Sequence, residues 1–449
     1  MELSPTSTLF HPSSGPEVTI TVSLAVTLGI VIALGSLPAF LVLAVCIAFL
    51  AFTSYCIQSS RIWLYGVAAT AVVIPPFYPS AIGGNIPIYV SNLLFLISGV
   101  MLLVRFEEFR LPFDSLSRAA FCFLMSLVIS LPFAYWFSGP NQAAQSSMRF
   151  VLLLQPFLTY VWVRGFFILK DENQLAKFFN FLLWLGALSA LYGIIDFYYP
   201  LPLPHPFADQ FIYLKGERIR RAQGVFYEAS SFGNLCAFFL SFSLFLLYSL
   251  RKRFSAMGQV LIFVSTGIFT IALFLSYSRG CWLNVLVTVA VFILLQRKIR
   301  LSAVILLILL NGGLLFLFYW LSPELILNFF DRRLGALAEF WSDPNFATSG
   351  RWENWTTLIT YFADHPWLLL FGIGYKTIPF TNLFGKEIIA DNGYLSSLFE
   401  TGILGMVAFL YLNRVILKLL HHGSLRSSTN CSLYASFLLA FCVERSYRC

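Results

Sequence analysis

The residues able to do chemistry in this 449-residue chain fall in two stretches and one turn. The first stretch reads Arg218-Ile219-Arg220-Arg221-Ala222-Gln223-Gly224-Val225-Phe226-Tyr227-Glu228, directly ahead of an apolar run. The turn is Ser278-Arg279-Gly280, between two apolar runs. The second stretch runs from Arg351 through His365-Pro366 and Gly372-Ile373-Gly374-Tyr375 to Asp391-Asn392-Gly393-Tyr394, with Glu400 two turns further on. Arginines so placed suit a lipid-linked phosphate or diphosphate, because the planar guanidinium meets phosphate oxygens in bidentate fashion. A sugar carried on a diphosphate already has a stable leaving group. Its transfer to a hydroxyl then needs cations where charge develops and a base for the acceptor proton. Arg221 and Arg279 are the candidate cations, and Asp391 and then His365 the candidate bases.

Each residue also has a plain structural reading. A lone cation at a helix end usually snorkels; Arg279 departs from this because its connection is otherwise uncharged. Glu400 has a hydrogen bond within or between helices as its equal alternative. The His-Pro pair ends a helix, because proline restricts the residue before it. The G-x-G has no strand ahead of it and is no dinucleotide fingerprint, although Gly372 and Gly374 let backbone approach another element closely. Asp391-Asn392 sits where the loop re-enters the membrane, a place where polar groups are costly unless used. No DxD-like acidic cluster lies on this side, which argues against metal-held nucleotide-sugar chemistry. The early loop 75–87 has no carboxylate to act as base. Neither a metal nor a cofactor is expected.

These residues must be positioned by membrane helices. The chain is 58% hydrophobic and only 11% charged, with a mean hydropathy of +0.79. A soluble domain carries about 25% charged residues, so soluble, disordered, disulfide-built and collagen-like classes are excluded. Apolar runs long enough to cross a bilayer fall at 18–36, 38–57, 62–78, 86–104, 119–137, 150–169, 178–199, 232–250, 259–276, 281–296, 301–321, 394–412 and a short 431–443. The expected fold is an all-α polytopic bundle of about 12–13 transmembrane helices. It divides into a tail 1–17, a bundle 18–321 with a loop at 200–231, a long loop 322–392, and C-terminal spans 393–449. Short amphipathic helices are expected in the long loop, one through Leu325, Phe329, Leu334, Leu337 and Trp341. A second is capped by Ser349 and carries Trp352, Trp355, Ile359 and Phe362 as its apolar stripe.

Basic residues mark alternate short connections: Arg105, Arg110 and Arg118; Arg164, Lys170 and Lys177; Arg251, Lys252 and Arg253; Arg297, Lys298 and Arg300. The other set of short connections holds only Arg149 and Arg279. By the positive-inside rule the first set and the N-terminus are cytoplasmic, and both long loops are outside. The net charge of +8 is therefore a topology signal rather than nucleic-acid affinity. The eight cysteines, mostly within apolar runs and without a C-x-x-C pair, form no disulfide or zinc framework.

The run SGRWENW, then HP, GIGY and DNGYLSSLFETGILG, resembles the signature region of the O-antigen polymerase/ligase membrane superfamily. Arg221, Gly224, Phe226 and Glu228, and the Ser278-Arg279-Gly280 turn, match two further sites of that family. The resemblance covers about Arg218 to Gly405. It implies inverting, metal-independent glycosyl transfer from an undecaprenyl diphosphate-linked glycan in the bacterial inner membrane. Arg221 and Arg279 would bind the diphosphate, Asp391 and Glu228 would be catalytic, and Arg218, Arg351, His365, Asn392, Tyr394 and Glu400 would support them. Family ligases carry histidine where this chain has Asp391, so the polymerase branch fits better. A ligase remains the first alternative and a polysaccharide transporter or flippase the second. Implied partners are the lipid-linked glycan, membrane lipids, a chain-length regulator and a flippase; nucleic acid is not among them.

Overall fold

The computed structural model describes residues 50–73, 90–166, 168–169, 172–199, 210–214, 217–226, 228–249, 254–296, 312–313, 342–348, 351–384, 388, 392–425 and 430–448. The expected tail 1–17, the span at 18–36, all of 301–321 except 312–313, most of 38–57, the Leu325–Trp341 helix, Ser349 and Asp391 lie outside the described residues.

Apolar runs and breakers set the helices. Asp114 caps the helix Ser115–Ser138, its carboxylate accepting the Ser117 N–H at 2.8 Å, which satisfies one of the helix's first free donors. Further spans are Glu172–Tyr198, Ala229–Ser249, Ala256–Leu275 and Arg279–Gln296, each close to its expected position. Five described helices are long and apolar enough to cross a membrane, and shorter apolar ones include 60–73 and 279–295. Phe121, Val128, Leu188, Val264, Leu286 and Val407 are exposed on their flanks. Helices satisfy their own backbone groups, so such apolar faces can meet lipid directly. This is an all-α multi-pass membrane bundle.

One core lies between the 172–198, 229–249, 256–275 and 279–296 helices and Asn430–Arg448, filled by Phe232, Phe242, Phe269, Phe274 and Phe437. A second joins Ser60–Val73 and Val90–Val104 to Trp162, with the Trp63 indole donating to the Leu94 carbonyl at 2.7 Å. A third packs Phe123 and Leu127 against Leu412 and Val415.

Three features differ from the sequence expectation. The run expected at 150–169 is the second half of a helix that starts at Pro140 and ends at Gly165. Gly139 alone separates it from the preceding helix, and proline at a first helical position loses no needed hydrogen bond. Arg149 therefore lies in a helix rather than a loop. The run expected at 394–412 is broken at Gly402 (φ 70°, ψ −172°) into a helix 393–401, about 13 Å long, and a helix 403–425, about 34 Å long. Rings of Tyr394 and Phe409 lie 5.8 Å apart, so the short helix folds back along the long one. The spanning unit is therefore 403–425. In the helix Arg351–Asp364, Leu358 and Phe362 are buried, whereas Trp352 and Ile359 are exposed. Of the expected apolar stripe, Phe362 faces the core, while Trp352 and Ile359 stand on the exposed side.

Candidate functional site

The first cationic stretch is a β-hairpin, Phe211–Leu214 with Glu217–Arg220, in which Phe211 pairs with Arg220 and Tyr213 with Arg218. One contact closes the hairpin and two tie its end to the bundle. The Arg221 N–H donates to the Gln210 carbonyl at 2.8 Å and the Ala222 N–H to the Leu275 carbonyl at 2.9 Å. The Arg220 guanidinium pairs with Asp196 at 2.9 Å, and it also reaches the Asp196 carbonyl. Gln210 adds a bracket: its N–H donates to the Gln223 side chain, and its own side-chain oxygen accepts the Ala229 N–H.

So held, Arg221 directs its Nε to the Ser276 carbonyl at 2.9 Å, beside the turn that carries Arg279 into its helix. Arg351 opens the 351–364 helix and interacts electrostatically with both Arg221 and Arg279. Burial lowers the Arg221 pKa, Arg351 lowers it further, and Glu228 raises it. Like charges held together favour an anion among them, and two helix N-termini add partial positive charge. The arrangement favours an anion. Glu228 stands at its edge, exposed, accepting the Ser230 hydroxyl at 2.8 Å.

Beneath the cluster, Asn284, which is buried, donates to the Asn234 side chain at 2.7 Å. This midspan polar residue has a partner on the neighbouring helix.

The second stretch is a clasp. Gly372 (φ 76°) lies so close to the 393–401 helix that a Cβ there would come within 2.4 Å of the Glu400 carbonyl. Gly402 lies as close to Leu370, with 2.3 Å to its carbonyl oxygen. The Ile373 and Gly374 N–H groups donate to the Phe399 and Glu400 carbonyls at 3.0 and 2.9 Å, satisfying the end of the short helix. The buried Glu400 carboxylate accepts the Lys376 and Ile378 N–H groups and the Ser396 hydroxyl. Its structural reading holds in this geometry: Glu400 ties loop to helix. Burial, and then Glu400, push the Tyr375 hydroxyl above its ordinary pKa. From the 140–165 helix, Ser146 donates to the Tyr375 carbonyl, and Arg149 donates to Lys376 at 2.9 Å.

Asn392 caps the 393–401 helix, its side chain accepting the Tyr394 and Leu395 N–H groups, both at 3.0 Å. Asp391, the residue before this cap, lies outside the described residues. His365 ends the 351–364 helix as its His-Pro pattern implied. Its Nδ1 lies 3.0 Å from the Tyr361 carbonyl, and its ring stacks on Tyr361. A helix of about 21 Å separates it from Arg351, so it is not part of the cationic cluster. Arg218 belongs to the hairpin by its backbone pairing with Tyr213.

Asp196 and Arg220 were not among the expected site residues. The available signal was Asp196 itself, the lone carboxylate within the 178–199 apolar run, where an ionisable group marks a specific pairing. Its side chain is 1% exposed and that of Arg220 16%. Asp196→Ala is expected to destabilise the protein by about 3–5 kcal/mol, since it strands a buried guanidinium. A further Arg220→Met change should recover most of that loss. Thermal unfolding in detergent reads both, and an unshifted Asp196→Ala midpoint would show that the pair holds nothing.

Residues 263–410 match the family model described as O-antigen ligase. This region runs from the 256–275 helix through the Arg279 turn, Arg351, His365 and the glycine clasp to the 403–425 helix. No curated protein matches the chain.

Proposed function

We propose that this chain, whose residues 263–410 match the family model described as O-antigen ligase, is the polymerase form of this class of glycosyl-transferring membrane enzyme. It joins undecaprenyl diphosphate-linked oligosaccharide repeat units at the outer face of the inner membrane, with its N-terminus in the cytoplasm. The observation that carries the reading is the Arg221 guanidinium held at 2.9 Å from the Ser276 carbonyl, beside the turn that bears Arg279, with Arg351 acting electrostatically on both.

Arg221, Arg279 and Arg351 bind the diphosphate of the donor. The bond between the anomeric carbon and the diphosphate oxygen breaks, and its electron pair leaves with the diphosphate. The acceptor hydroxyl forms the new bond from the opposite face, which inverts the configuration. Its proton passes to Asp391, or to Glu228 at the cluster's edge. Three guanidiniums supply the positive charge that a metal would otherwise provide.

Asp391 stands where family ligases carry histidine, which favours polymerisation. The description of the matched family favours the second reading, a ligase that moves finished glycan to another acceptor. Carrier-linked glycan length in a deletion strain separates them. A missing polymerase leaves single repeat units on the carrier, whereas a missing ligase leaves long chains there. Unchanged carrier-linked glycan would sink both.

A further inference from the structure

We infer that Ser138, Gln142 and Gln145 form a second subsite, which binds the neutral, hydroxyl-bearing sugars of the glycan. The inference rests on the glycosyl-transfer reading above and names where the sugar part of a substrate is gripped.

Ser138 ends the 115–138 helix, and Gln142 and Gln145 lie in the first two turns of the 140–165 helix. The Ser138 Oγ, Gln142 Oε1 and Gln145 Oε1 atoms are buried and have no hydrogen-bond partner. Unsatisfied buried polar atoms are few in native folds, and each calls for an occupant or a use. Three occur here within eight residues. Residues three apart on a helix are neighbours, so the two carboxamides lie side by side. Between Ser138 and Pro140, a Cβ built on Gly139 would meet nothing within 4 Å, so the turn joining the two helices is uncrowded there.

The row also adjoins the candidate site. The same helix face continues to Ser146 and Arg149, which hold the Tyr375 and Lys376 carbonyls. Phe137, next to Ser138, packs in one cluster with Leu395, one turn beyond the Asn392 cap. Phe137 also lies 5.8 Å from the ring of Trp367, which is exposed and offers a flat face. Carboxamides both donate and accept, which matches paired sugar hydroxyls. Ser138, Gln142 and Gln145 carry no charge, so the trio selects neutral sugar rather than phosphate.

The test uses full-length protein in nanodiscs and two probes. Farnesyl diphosphate reports the cationic site. The oligosaccharide repeat unit, released by mild acid from the carrier lipid of a deletion strain, reports the proposed subsite. Gln142→Met with Gln145→Met is expected to weaken oligosaccharide binding about tenfold, the loss of one or two hydrogen bonds. Farnesyl diphosphate binding should be unchanged and the unfolding temperature no lower than in the parent. Unchanged oligosaccharide affinity with a raised unfolding temperature would assign the amides to packing or buried water and overturn the subsite. Failure of the parent protein to bind farnesyl diphosphate would instead overturn the diphosphate reading, while a tenfold oligosaccharide effect would still establish the subsite.

Discussion

Arg351→Ala should lower glycosyl transfer by about ten- to a hundredfold while leaving the unfolding temperature unchanged. A hydrogen bond to a charged group contributes about 1.5–3 kcal/mol, and each 1.4 kcal/mol is about a factor of ten. Arg351 is exposed at the first position of its helix, so its loss leaves the packing of Leu358 and Phe362 intact. Arg351→Lys should recover only part of the activity, because an ammonium is a point charge without the guanidinium's fork. Product formed per unit time from lipid-linked repeat units is the measurement. Full activity in Arg351→Ala would remove this residue from the diphosphate site and leave Arg221 and Arg279 as a pair.

A second large stability effect is expected at Gly402. Alanine there meets two penalties at once. A φ of 70° costs an L-residue about 1–2 kcal/mol. A Cβ 2.3 Å from the Leu370 carbonyl forces backbone to move, which costs about 1–3 kcal/mol more. Gly402→Ala should therefore destabilise by about 3 kcal/mol and loosen the clasp that holds Glu400, Lys376 and Ile378 together. Gly139→Ala is the internal control: its φ is 85°, but open space surrounds its Cβ position, so only the conformational penalty applies. Chemical unfolding in detergent compares the two. Equal losses would mean that the Gly402–Leu370 approach relaxes freely and the clasp is not rigid.

Residue types and hydrophobic period were enough to place most helices, because a bilayer span requires an unbroken apolar run of known length. The runs at 178–199, 232–250, 259–276 and 281–296 each became a helix with nearly the same ends. Two failures share a physical cause. At Pro140–Arg149 the residues are polar and read as a loop, yet Pro140 and the Tyr375–Lys376 carbonyls make them a helix held by its side chains. At Gly402 the run stays apolar through a sharp reversal, and hydropathy carries no information on backbone angles.

The site divides in the same way. Sequence by itself determined a multi-pass membrane protein with arginines at Arg221, Arg279 and Arg351, since a charge in so apolar a chain needs a reason. It also marked Gly372 and Gly374 as places of close backbone approach. Only the tertiary structure decided that Arg351 acts electrostatically on the other two arginines, that Asn392 is a helix cap, and that His365 stands a helix length from Arg351. It alone paired Arg220 with Asp196 and wrapped Glu400 in backbone N–H groups. The contacts that build the site join residues far apart in the chain, 24 positions for Asp196 and Arg220 and 229 for Ser146 and Tyr375. Local composition cannot encode such pairings. They are set by which helices pack together and where Gly139 and Gly402 let the chain turn.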